Sequence, residues 1–82
     1  MDVAVAGLWH LGTVTAACLA SAGYHVRAFD QDAGTIRALQ QGRLPVAEPG
    51  LAELTARGVA AGLLSFSADP ATVSGADVVW IT

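Results

Sequence analysis

Four short apolar runs, kept apart by segments of helical period, leave this chain few ways to fold. The runs are "DVAVA" at 2–6, "HVRAF" at 25–29, "LLSFS" at 63–67 and "DVVWI" at 77–81. Each has the length and β-branched character of a strand, and each ends at a turn-forming or polar residue. Between the first two, Leu11, Val14, Cys18, Leu19 and Ala22 recur at helical spacing, and Gly23 stands where a helix commonly stops. After the second run, Asp32 can cap a helix reaching about Gln41, with Ile36 and Leu39 inward and Gly42 as the stop. "RLPVAEPG" reads as a loop, because Pro45 and Pro49 disfavour helix in the residues before them. Pro49 then suits the first turn of a short helix carrying Leu51 and Leu54 and ending at Gly58. Asp69-Pro70 opens a last short helix that Gly75 closes.

Strands apolar on both faces and joined by helices pair in parallel through right-handed crossovers. The expected fold is therefore α/β and Rossmann-like: part of a doubly wound parallel sheet with strand order 3-2-1-4. Composition agrees, since 54% hydrophobic and 13% charged residues suit a core buried on two sides. A complete sheet of this kind continues past its fourth strand. Residues 1–82 are thus expected to be the N-terminal part of a larger dinucleotide-binding domain, truncated after strand four. The Asp77–Ile81 edge, left unpaired, would favour self-association.

Charge excludes some partners. The net charge is −3 with four arginines and no lysine, and the arginines are scattered, so no basic footprint for nucleic acid or an anionic membrane is present. No run has the ~18–20 apolar residues of a membrane span. The apolar start holds Ala20-Ser21-Ala22, but Asp2 precedes it and Gly7, His10 and Gly12 interrupt it, so a secretory signal is not expected. Cys18 has no partner for a disulfide or a metal site, which fits a reducing, cytoplasmic setting.

The chemistry lies in "GLWHLG", Gly7 to Gly12, directly after the first strand. In a βαβ unit the first glycine of G-x-G-x-x-G permits a sharp turn. The second keeps bulk away from a pyrophosphate, and the third lets helix and strand approach closely. Gly7 and Gly12 fill the first and third roles, while Trp9 stands in the second. Asp30 ends the second strand eighteen residues after Gly12, near the roughly 20 expected of the acid that accepts ribose hydroxyls. Such an acid repels a 2′-phosphate and favours NAD over NADP. The plainer reading is that the glycines serve packing and Asp30 a turn. Trp9 separates two outcomes. An indole, which buries up to ~250 Å², fills the diphosphate space if turned inward. Turned outward, it leaves the backbone N–H groups of the loop open.

The chain resembles the N-terminal NAD-binding region of the UDP-glucose/GDP-mannose dehydrogenase family. The resemblance rests on "VAVAGLWHLGTVTAACLASAGYHV", on "FD" at 29–30, on "LPVAEPGL", whose Glu48-Pro49-Gly50-Leu51 is the most specific element, and on "ADVVWIT". It implies an NAD-dependent parent enzyme that oxidises the C6 hydroxyl of a UDP- or GDP-sugar to a carboxylate. It also implies a homo-oligomer, two hydride transfers, and a covalent intermediate on a Cys beyond these residues, in catalytic and sugar-binding domains. By the same resemblance Gly7, Leu8, Trp9, His10, Leu11, Gly12, Asp30 and Thr35 are the cofactor-binding positions. Trp9 replaces the usual glycine, His10 a frequent tyrosine, and Thr35 a frequent Lys or Arg. No catalytic or metal-binding residue is expected within the 82. The alternative function is a non-catalytic nucleotide-sensing or scaffolding module whose phosphate site Trp9 has closed.

The remaining candidates read as structural. Cys18 and Trp80 are expected in the core. Arg27 and Arg37 are expected on solvent faces. His10 reads as a solvated or hydrogen-bonding loop residue, and His25 as part of the framework at the start of its strand.

Overall fold

A computed structural model describes residues 1–45 and 47–82. Val46, inside the expected loop, lies outside the described residues. Strand β1 (Asp2–Ala6) leads to helix α1 (His10–Ser21), then β2 (His25–Phe29) and α2 (Ala33–Gln40). Helix α3 (Leu51–Ala60) precedes β3 (Leu64–Ser67), and a 3-10 turn at Pro70–Val73 precedes β4 (Val78–Ile81). The four strands form one sheet in the order β3-β2-β1-β4, every pair parallel, as expected.

Register assigns the faces. Val3 pairs with Val26 and Val78, and Val26 with Leu64, so these residues share one side of the sheet. Val3, Val5, Val26, Ala28, Leu64 and Phe66 form the core there with Leu8, Ile36 and Leu39. Burying apolar side chains such as these contributes about 1.5–3 kcal/mol each for the larger ones.

Helix α1 departs from the expected face. Its buried stripe is Gly12, Thr13, Ala16, Ala17 and Ala20, all small. Leu11 is 66% exposed and Cys18 is exposed, so the cysteine is not a core residue. The reason is distance. The helix starts so close to the β1 turn that only residues with little side chain fit underneath it. Thr13, buried, satisfies its hydroxyl by donating to the Leu8 carbonyl at 3.2 Å.

Helix α3 also differs. It starts at Leu51, after a turn holding Pro49, with Gly50 as its N-cap at φ +80°. It runs past Gly58 to Ala60. Gly58 is a contact residue and not a stop: a Cβ there would lie 3.1 Å from Leu64 Cβ and 3.2 Å from Ala20 Cβ. The left-handed conformation that ends the helix falls to Gly62. Elsewhere the expected caps hold. Asp32 accepts from the Gly34 and Thr35 N–H groups, and Asp69 from that of Ala71.

Two further expectations are corrected. Trp80 is 48% exposed, because β4 is an edge strand that, among the described residues, pairs only with β1; Val78, Val79 and Ile81 are exposed with it. Arg27 is not a solubilising side chain. It is only 23% exposed, and its Nη1 donates to the Ser74 carbonyl at 3.2 Å where the segment before β4 crosses the sheet. Arg37 is exposed, as expected. His25 is framework: its Nδ1 lies 2.9 Å from Asp2 Oδ1 across the β1–β2 pair.

Candidate functional site

The site assembles at the carboxyl ends of β1, β2 and β4, where an open parallel sheet of this order holds its ligands. Gly7 leaves β1 at φ +95°, a conformation costly for any residue with a Cβ. Its N–H donates to Phe29 O at 2.9 Å and ties the turn to the end of β2. A Cβ built on Gly12 would overlap the Gly7 carbonyl oxygen. The two glycines therefore have the steric reasons that a phosphate loop gives them.

Asp30 is the hinge of the arrangement. Its Oδ2 accepts the Leu8 N–H at 2.9 Å, and its Oδ1 accepts the Asp32 N–H at 2.9 Å. The carboxylate is half-buried. Each oxygen has a second lone pair, so two hydroxyl donors can still be accepted. Leu8 contributes its backbone only, since its side chain is fully buried in the core.

Helix α1 begins at His10, and no side chain caps it. Helix α2 has its Asp32 cap, whereas α3 starts at Gly50 without a side-chain cap, as α1 does at Trp9. The first-turn N–H groups of α1, on His10, Leu11 and Gly12, together with the positive end of the helix dipole, suit an anion. A crevice of about 230 Å³ opens at the strand ends, lined by Gly7, Asp30, Gln31, Ile81 and Thr82 among others.

Trp9 answers the question its position raises. Its backbone has φ −87°, so nothing in the turn requires glycine there. The side chain is 69% exposed. It does not line the Asp30 crevice. It lines a separate groove of about 490 Å³ against α2, with Asp32, Thr35, Ala38, Arg43 and Leu44. Trp9 and Thr35, distant in sequence, thus meet in one groove.

His10 is the first residue of α1, and its Nε2 hydrogen-bonds Glu48 Oε1 at 2.8 Å. This contact joins the glycine loop to the Glu48-Pro49-Gly50-Leu51 turn. In the sequence Glu48 is only part of a motif, and spacing alone carries no signal for the pairing. Leu11 stands exposed in the first helical turn.

Thr82 is a neighbour that sequence reasoning missed. Its Oγ1 donates to Gly7 O at 2.7 Å and its N–H to Ala6 O at 3.0 Å. The signal was available: with β1 and β4 parallel and Ala6 beside Ile81, the residues that follow each must adjoin. Among the described residues, no group of three or more His, Cys, Asp or Glu is placed to hold a metal ion, and no helix is long and apolar enough to cross a membrane.

The donor set, the steric cradle at Gly7 and Gly12 and the outward indole fit a dinucleotide. Comparison with known proteins agrees. Residues 1–82 match the UDP-glucose/GDP-mannose dehydrogenase family, NAD binding domain. UDP-glucose 6-dehydrogenase of Rhizobium meliloti (strain 1021) is 42% identical over 82 residues, covering 99% of this chain and 19% of that protein. GDP-mannose 6-dehydrogenase of Azotobacter vinelandii is 42% identical over 64 residues, covering 78% of this chain and 15% of that protein. Among solved structures, a ternary complex of GDP-mannose dehydrogenase from Pseudomonas aeruginosa superposes with TM-score 0.92 at 35% identity, covering 100% of this chain and 19% of that one. The chain thus spans about a fifth of the length of such relatives. On its fold, its site and its match along the whole length, the chain belongs to the UDP-glucose/GDP-mannose dehydrogenase family, as an NAD binding domain.

Proposed function

We propose that this chain forms the adenosine and pyrophosphate half of the NAD site of a nucleotide-sugar 6-dehydrogenase. The parent enzyme would oxidise the C6 hydroxyl of a UDP- or GDP-sugar to a carboxylate. NAD, when bound, supplies the hydride acceptor. The chain's own residues do the holding. Gly7 and Gly12 keep the loop low, and the first turn of α1 receives the pyrophosphate. Asp30 accepts the ribose hydroxyls and repels a 2′-phosphate, which favours NAD over NADP. The observation that carries the reading is the half-buried Asp30 carboxylate at the Leu8 N–H, beside an uncapped helix start. The exposed residues of β4 support self-association of this chain through its Asp77–Ile81 edge.

Calorimetric titration tests the cofactor claim. NAD is expected to bind with millimolar or tighter affinity and NADP more weakly, and Asp30→Ala should weaken NAD at least tenfold. No heat and no change in melting temperature with millimolar NAD would defeat the reading. The non-catalytic module would then be the better description.

A further inference from the structure

We propose that Trp9 is a cofactor-contacting residue: its indole packs on the adenine of the dinucleotide in the groove against α2. The inference rests on the dinucleotide reading above and goes beyond it, by assigning a ligand contact to the residue that interrupts the glycine motif. Three observations carry it.

First, the indole starts beside the ribose anchor. Trp9 follows Leu8, whose N–H is held by Asp30 at 2.9 Å. The groove adjoins the same anchor from its other wall, because Asp32, which lines it, donates its N–H to Asp30 Oδ1 at 2.9 Å. Second, the groove has the chemistry of a purine site. It offers the exposed indole, the small Gly34 and Ala38, the hydroxyl-bearing Thr35 and the cation Arg43. Aromatic faces stack bases whatever their identity, and a guanidinium complements an electron-rich ring system or a nearby phosphate. Its volume of about 490 Å³ falls in the range of small-molecule sites, roughly 300–1,000 Å³. Third, the large residue at 9 shares its groove with a short side chain at 35. Thr35 leaves open the space over α2 beside which the indole stands.

The test uses the full chain with Trp80→Phe, so that Trp9 is the remaining tryptophan of two. The indole N–H resonance of the ¹⁵N-labelled protein is followed during titration with AMP, NAD and nicotinamide mononucleotide. AMP and NAD are expected to shift it saturably, and nicotinamide mononucleotide to leave it in place. Trp9→Ala should weaken both AMP and NAD about tenfold, with Trp9→Phe recovering most of the loss. Because the side chain is largely in solvent, these variants keep their fold, and their amide spectra verify this. The proposal is overturned if NAD binds by calorimetry while the indole resonance stays still. It is equally overturned if Trp9→Ala binds AMP as tightly as the parent. If NAD produces no heat at all, the dinucleotide reading itself falls and takes this one with it.

Discussion

Replacing Gly12 by alanine tests whether the loop geometry is real. The substitution adds one methyl group on a helical residue, and in an open helix it would stabilise by up to about 1 kcal/mol. Here the new Cβ would overlap the Gly7 carbonyl oxygen, with Thr82 Oγ1 at 3.0 Å on another side. The obstacle is backbone, so it yields only if the turn between β1 and α1 opens. Overpacking of this kind costs typically about 1–3 kcal/mol, and more where backbone must move. Because the obstacle is backbone, the upper figure applies, and the net expectation after the propensity gain is a loss of about 2 kcal/mol. For a domain of this size that lowers the melting temperature by roughly 8–16 °C. Gly34→Ala is the internal control. It lies in α2, and its Cβ would meet only Asp32 Oδ1, at 3.2 Å. It should leave the melting temperature unchanged or raise it. Calorimetric melting of both variants decides the matter. A Gly12→Ala protein that melts within about 2 °C of the parent would refute the account of the loop.

Other expectations concern separate regions. Thr55 is 4% exposed and its hydroxyl has no hydrogen-bond partner among the described residues, so Thr55→Val should stabilise by about 1 kcal/mol, read as a raised melting temperature. The His10–Glu48 pair is about half exposed, and Glu48→Gln should cost less than about 1 kcal/mol in a denaturant titration. Ile81→Lys, on the exposed edge strand, should shift light scattering toward monomer, and an unchanged particle mass would count against edge pairing.

Much of the architecture was legible because strands and helices leave different periods. Asp30 was legible as well, being the residue that directly follows β2, at a strand end that had to lie near the loop. What escaped notice has a common cause. Periodicity weighs large apolar residues, yet the buried face of α1 consists of Gly12, Thr13 and three alanines. Leu11 and Cys18, which dominate the apolar spacing, are exposed. Trp80 failed as a core residue because burial belongs to the sheet and not to the strand, and β4 has a neighbour on one side. Gly58 and Gly62 look alike in sequence. Only packing distinguishes the one that lets α3 approach Ala20 from the one that ends the helix. The direction of the Trp9 indole could not be deduced from the motif, since its backbone φ is ordinary and the groove it lines is built from α2 and the segment after it, far along the chain.

Asp30 has a consequence for how cofactor preference can change. The same carboxylate that would meet the ribose also holds the Leu8 and Asp32 N–H groups. Exchanging it for a small neutral residue, to admit a 2′-phosphate, would strand both donors, at about 1–3 kcal/mol for each that stays buried. An evolutionary route toward NADP must therefore install a substitute acceptor for the loop before it discards the acid. By the same logic, selection for folding alone would preserve Asp30 in a descendant that no longer bound any nucleotide.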